Sequence, residues 1–218
     1  MMYWNRFLIV FVALCIYSSV KAQEKGLFVS AHYSYNKSDA GSVVADDRPV
    51  EISKGHVVTP RLGYRLNKGW AIGGVYSFSN LRTTTSYVTV FPQGLVSIET
   101  VEKEKMYRYG IFAQRYLYDN GKTSFFMELD ASKGSLKRKD GESSETFAEK
   151  NGKANVYGGG LHLGGRYNFY KGLGVEGRLN NLVQYTHTTV KSINGKAHTF
   201  TALQDIFSNA SIGLSYRF

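Results

Sequence analysis

The sequence predicts an all-β fold, an eight-stranded antiparallel up-and-down barrel, on three observations. No long segment repeats its apolar residues at the helical period of 3.6. Segments of about ten residues alternate apolar and polar side chains instead. Short turns and long polar stretches follow one another along the chain. The three short turns are Asn67-Lys68-Gly69, Asp119-Asn120-Gly121-Lys122 and Tyr170-Lys171-Gly172. Asn, Asp and Gly supply the backbone conformations that close hairpins. The long stretches are 36–54, 80–103, 133–153 and 187–202. Four long connections and three short ones join eight strands.

Each strand follows from its alternation. The first, 26–36, sets Leu27, Val29, Ala31, Tyr33 and Tyr35 against Phe28, Ser30, His32 and Ser34. The second, 56–66, sets Val58, Pro60, Leu62, Tyr64 and Leu66 against Thr59, Arg61, Gly63 and Arg65. The third, 70–79, sets Ile72, Tyr76 and Phe78 against Ala71, Gly73, Ser77 and Ser79. The fourth, 106–118, sets Tyr107, Tyr109, Ile111 and Ala113 against Arg108, Gly110, Phe112 and Gln114. The fifth, 123–132, sets Phe125, Met127, Leu129 and Ala131 against Phe126, Glu128, Asp130 and Ser132. The sixth, 155–169, sets Tyr157, Leu161, Leu163, Tyr167 and Phe169 against Gly158, Gly160, His162, Gly164 and Arg166. The seventh, 173–186, sets Leu173, Val175, Leu179, Val183 and Tyr185 against Gly174, Glu176, Arg178, Asn180 and Gln184. The eighth, 208–218, is the clearest: Ala210, Ile212, Leu214, Tyr216 and Phe218 fall opposite Asn209, Ser211, Gly213, Ser215 and Arg217.

The two faces choose the solvent. One carries glycines, serines and opposed charges, which suit a narrow interior where small residues make room and charges pair. The other is apolar and has Tyr, Phe and Trp near the strand ends, as at the two interfaces of a bilayer. No apolar run after the N-terminus is long enough for a membrane helix, so any crossing uses strands. In lipid, only helices and closed barrels satisfy their backbone groups. The expectation is therefore a transmembrane barrel, apolar outside and polar inside.

The motifs Thr59-Pro-Arg-Leu-Gly-Tyr64, Trp70-Ala-Ile-Gly73, Gly110-Ile-Phe-Ala-Gln-Arg-Tyr116 and Gly213-Leu-Ser-Tyr-Arg-Phe218 carry a resemblance. With them the chain resembles the small bacterial outer-membrane β-barrel proteins, similar in design to the membrane domain of outer membrane protein A. The resemblance implies the barrel and its place in the outer membrane. It implies little about function, because such proteins differ in their loops.

The N-terminus reads as an export signal. A short basic start, the apolar run 7–17 and Ser18-Ser19-Val20-Lys21-Ala22 have the three parts of a secretory leader. The expected division is a signal peptide over 1–22 and a barrel domain over 23–218. Removing Arg6 and Lys21 lowers the formal charge from +10 to +8, and the single cysteine, Cys15, leaves with the leader. An exported chain without cysteine has no disulfide. The basic balance forms no nucleic-acid stripe, and the expected partners are outer-membrane lipids and lipopolysaccharide phosphates. Neither nucleic acid nor a cofactor is expected, and the barrel is expected to be monomeric.

Candidate functional residues fall into two groups. Inward Arg61, Glu128, Arg166, Glu176 and Arg178 lie at similar depth when strands are counted from the short turns. They are expected to form a paired network that plugs the lumen. In the second long stretch, two β-prone runs flank Pro92-Gln93-Gly94. Tyr87, Val88, Val90, Phe91, Leu95 and Ile98 belong to a hairpin that extends strands three and four and offers a partner-binding edge. The five histidines show no metal-ligand spacing. His32 and His162 are expected as interior fillers and the others in loops. The run from Lys133 to Lys150 mixes basic and acidic residues, as a solvated loop does. The expected role is structural or surface interaction without catalysis. Two other roles fit the same barrel: a narrow channel or transport barrel for small molecules or lipids, and a lipid-modifying enzyme.

Overall fold

The computed structural model describes residues 25–40, 50–67, 69–91, 94–140, 152–190, 195–203 and 209–218. The segment read as an export signal, 1–22, lies outside the described residues. Among the described residues nine antiparallel strands follow in order: β1 (Gly26–Ala40), β2 (Val50–Asn67), β3 (Trp70–Phe91), β4 (Gly94–Asp119), β5 (Thr123–Asp140), β6 (Gly152–Tyr170), β7 (Leu173–Val190), β8 (Gly195–Ala202) and β9 (Ala210–Arg217). Each strand from β1 to β7 pairs with the next, β7 pairs with β9, and β9 pairs with β1, so the sheet closes on itself. Where β9 joins β7 to β1 the closure leaves no open edge, whereas further out residues 34–40 of β1 on that side, and the second edge of β8, have no ladder partner among the described residues.

The eighth position of the wall holds two strands, one above the other. β9 pairs with β7 from Leu173↔Tyr216 to Leu179↔Ala210. β8 pairs with β7 further along, from Val183↔Ala202 to Val190↔Gly195. The sequence reading placed a long loop over 187–202, whereas most of that stretch is strand. The same correction applies to the other three long stretches, where ladder pairing continues well past the expected strand ends. Alternation marks a strand only while one face is apolar. Beyond the membrane both faces meet water, and the pattern disappears although the hydrogen bonds continue.

The faces are inverted relative to a soluble protein. Leu62, Ile111, Leu129, Ile212 and Leu214 project outward and are exposed, while Glu128 and Arg178 are 0% and 3% exposed inside. The outward apolar band is bounded by aromatics, with Tyr64, Trp70, Tyr118, Tyr167 and Phe169 toward the short turns and Tyr35, Tyr109, Tyr157 and Tyr185 toward the long hairpins. At the short turns, Gly121 and Gly172 have φ of 84° and 85°, a conformation that glycine adopts without steric cost.

Candidate functional site

The lumen is built by parity, since every inward side chain is two residues from the next along its strand. Toward the short turns it is filled by rings. In register, Phe28 stands opposite Gly63, Gly63 opposite Gly73, and Gly73 opposite Phe112. A Cβ at Gly63 or Gly73 would run into these rings, and one at Gly164 would strike Phe126. Phe28, Phe112, Tyr116, Phe126, Ala71 and Val75 form an apolar cluster inside the barrel. The sequence reading put Phe28, Phe112 and Phe126 on the polar face and gave them no role. The signal for them was inward Phe set against inward Gly on the neighbouring strand.

The five charges expected as a network meet above this layer. Glu128 on β5 pairs with Arg61 on β2 and with Arg178 on β7, the latter at 2.5 Å, and it accepts a hydrogen bond from Gln114 Nε2 at 2.7 Å. Glu176 on β7 lies 3.6 Å from Arg178, 3.4 Å from Arg166 and 3.2 Å from His32 Nε2. Because β2, β5 and β7 are not adjacent in the ring, the two Glu128 pairs cross the lumen, as does His32–Glu176 from β1 to β7, whereas Arg166 and Glu176 face each other on neighbouring strands. Three arginines of the network also lie over rings of the apolar cluster: Arg61 over Phe112, Arg166 over Phe28 and Arg178 over Phe126, at 5.4 to 5.5 Å. A guanidinium is weakly hydrated and planar, so it can meet a carboxylate at its edge and an aromatic at its face. Nearer the short turns Arg65 pairs with Asp119 at 2.5 Å and stacks on Tyr116 at 4.3 Å.

Toward the long hairpins the lumen widens into a polar cavity of about 280 Å³. Arg61, Arg178 and His32 lie in its floor, and Arg108, Asp130 and Ser132 in its wall. Arg108 donates to Ser132 Oγ at 2.7 Å. Asp130 accepts from the Gly160 amide at 2.7 Å and stands 3.3 Å from His162 Nε2. The other ring nitrogen of His162 accepts from the Asn181 amide at 3.0 Å. This contact holds a bulge: between Leu161↔Val183 and Leu163↔Leu179, His162 faces three residues of β7, and Asn181 there has φ of 58°.

His32 also touches Ser30 Oγ, at 3.3 Å. A nucleophile–base–acid relay needs serine and carboxylate on opposite ring nitrogens. Here Ser30 and Glu176 both approach Nε2, so the arrangement is that of an interior filler. His56, His187 and His198, expected in loops, lie on strands β2, β7 and β8. Two of them hydrogen-bond to outward tyrosines, Tyr33 with His56 at 2.7 Å and Tyr185 with His198 at 2.8 Å, and the ring of His187 lies against Tyr157. Among the described residues no three His, Cys, Asp or Glu converge as a metal site.

The expected hairpin is present as backbone. β3 and β4 pair without interruption from Trp70↔Arg115 to Phe91↔Gly94. The β2 ladder ends at Val50↔Ser86 and the β5 ladder at Glu102↔Asp140. Among the described residues, 87–91 and 94–101 therefore pair only within β3 and β4. The turn residues 92–93 lie outside the described residues, as do the side chains of 87–91 and 94–98, which include Tyr87, Val88, Val90, Phe91, Leu95 and Ile98.

A closed antiparallel ring, an apolar aromatic-bounded exterior, short turns at one end and long hairpins at the other define the class. The chain folds as a transmembrane β-barrel. Among solved structures it is similar to Neisserial surface protein A, with 13% identity and a TM-score of 0.40 over 91% of this chain and 100% of that one. It is also similar to Ail, the attachment invasion locus protein of Yersinia pestis, with 17% identity and a TM-score of 0.33 over 90% and 99%. A third is a major outer membrane protein from Thermus thermophilus, with 11% identity and a TM-score of 0.44 over 90% and 100%. No protein-family model and no curated protein matches the chain.

Proposed function

We propose that this barrel is a monomeric surface-interaction protein of the outer membrane, with a lumen closed by its charge network and the β3–β4 hairpin as its contact element. The observation that carries the reading is the length of that hairpin. Its outer part has two backbone edges that no neighbouring strand covers among the described residues. Such edges pair readily with an extended segment of another protein. The network supports the second half of the reading, since it links β1, β2, β5, β6 and β7 across the lumen.

The test is to display the full barrel and a form lacking 87–100 on an outer-membrane host and to measure binding to epithelial monolayers. Adhesion falls to the level of the empty host when the hairpin is removed, with insertion unchanged. Equal adhesion of the two forms removes the hairpin from the proposal. A channel is the competing role, and planar-bilayer recording separates it: the plugged barrel gives no large, steady conductance.

A further inference from the structure

We propose that the outward face of β2–β6, just beyond the aromatic girdle on the long-hairpin side, is a binding surface for the phosphorylated headgroups of lipopolysaccharide. It rests on the outer-membrane reading and is independent of the hairpin's role. The cross-strand register places like charges directly opposite one another. Lys54 faces Arg82, and Arg82 faces Lys103. Two residues along β4 the pattern repeats, with Lys105 facing Lys137 and Lys137 facing Lys153. All six share the parity of the outward apolar residues on their strands, and all are exposed. Directly opposed side chains have Cβ atoms about 5 Å apart, and like charges at that spacing are destabilising.

The acids of β4 whose side chains are described do not relieve them. Glu102 and Glu104 have inward parity and are both paired with Arg138. Glu99 has outward parity but lies about 13 Å along β4 from Lys103, at about 3.3 Å per residue. Among the described residues, none of the six cations is within ion-pair distance of a carboxylate. The two rows are therefore a surface built for an external anion.

Its position names the anion. Arg82, Lys105 and Lys153 lie two to four residues beyond Phe78, Tyr107 and Tyr157, on the same face of the same strands. Phe78 and Tyr107 pack ring to ring at 5.2 Å, and Lys133 lies over Tyr157 at 5.3 Å. Aromatics of this kind sit at headgroup level, where the acyl region ends. Cations one step beyond them are at the depth of lipid phosphates. On the long-hairpin side of an outer membrane, that leaflet carries lipopolysaccharide.

The experiment uses the full barrel in phosphatidylcholine vesicles and in the same vesicles containing lipopolysaccharide, and measures association of fluorescent lipopolysaccharide in competition with unlabelled lipid. The triple variant K105Q/K137Q/K153Q loses affinity by roughly ten- to a hundredfold at low salt, on the scale of cations near an anionic surface. The variant K105R/K137R/K153R keeps it, which separates lost charge from lost fold. Dephosphorylated lipopolysaccharide competes poorly with the intact form. Binding by the Gln variant equal to that of the parent, with both folded by circular dichroism, overturns the proposal. So does competition by inorganic phosphate, or by a sulfated polysaccharide, that matches the intact glycolipid. Adhesion of the hairpin-deleted form is read separately, so failure of one proposal leaves the other standing.

Discussion

Glu128 is the residue on which the lumen turns, because two arginines from opposite walls converge on it in a site closed to water. Replacing one partner of a buried ion pair leaves uncompensated charge and costs about 3–5 kcal/mol. Glu128→Ala is thus expected to destabilise the folded barrel by about that amount in urea titrations followed by tryptophan fluorescence. The paired replacement Arg61→Met with Glu128→Leu is expected to recover part of the loss, since Arg61 leaves with its acid while Arg178 keeps Glu176 at 3.6 Å. A loss in the double variant equal to the sum of the single losses means that the two residues act independently. Packing sets a second residue-scale expectation. Gly164→Val forces the Phe126 ring out of its place and costs about 1–3 kcal/mol, the range for overpacking. At this scale the sequence was legible in part. Parity placed Arg61, Glu128, Arg166, Glu176 and Arg178 on the inner face, but which arginine meets which acid depends on strand stagger around the ring. Stagger has no local signature in any one strand.

The elements show where alternation stops being informative. The hairpin of β3 and β4 was visible as two β-prone runs around a turn. The outer parts of β1, β2, β5, β6 and β7 were not, because water bathes both of their faces. The break in the eighth wall position is a related case. There β7 bulges at Asn180–Leu182, opposite the gap between β8 and β9, and several polar contacts hold it. Asn180 Nδ2 donates to the Asn209 carbonyl at 2.8 Å and to Ser211 Oγ at 2.9 Å, and the Leu203 amide donates to the Leu182 carbonyl at 2.7 Å. Asn181 adopts the left-handed region that β-branched residues resist. Asn181→Gly is expected to be nearly neutral, whereas Asn181→Val costs about 1–2 kcal/mol. Equal stabilities for the two variants in the same urea titration mean that the bulge carries no strain at that position.

At the scale of the whole molecule, the closed ring and the filled lumen act together. Rings, arginines and carboxylates occupy the section toward the short turns, and the polar cavity opens toward the hairpins. The barrel is therefore expected to hold a small polar vestibule and not a through-channel. Unmodified barrels in planar bilayers show no stable open level. Arg61→Ser with Glu128→Ser, which removes both cross-lumen pairs of Glu128, increases the frequency of brief openings. Large, stable conductance in the unmodified protein contradicts the plug. Export belongs to this scale as well: mass spectrometry of the protein from outer membranes is expected to give a chain starting at Gln23, and retention of residues 1–22 counts against the leader.

The period of the strands, the number of wall positions, the short turns and the sharing of side chains between faces are all legible in the chain alone. All of these follow from the geometry of single strands and their hairpins, where neighbours in sequence are neighbours in space. The partners across the lumen, the Phe rings seated on glycines of adjacent strands, the divided eighth position and the alignment of Lys54, Arg82, Lys103, Lys105, Lys137 and Lys153 come from the folded ring. Those contacts join residues far apart in the chain, and they exist only once every strand has taken its register and the ring has closed. The charge run from Lys133 onward illustrates the difference. Read along the chain it mixes signs, whereas in the folded wall Lys137 turns outward and Arg138 turns to Glu102 and Glu104 on the other face.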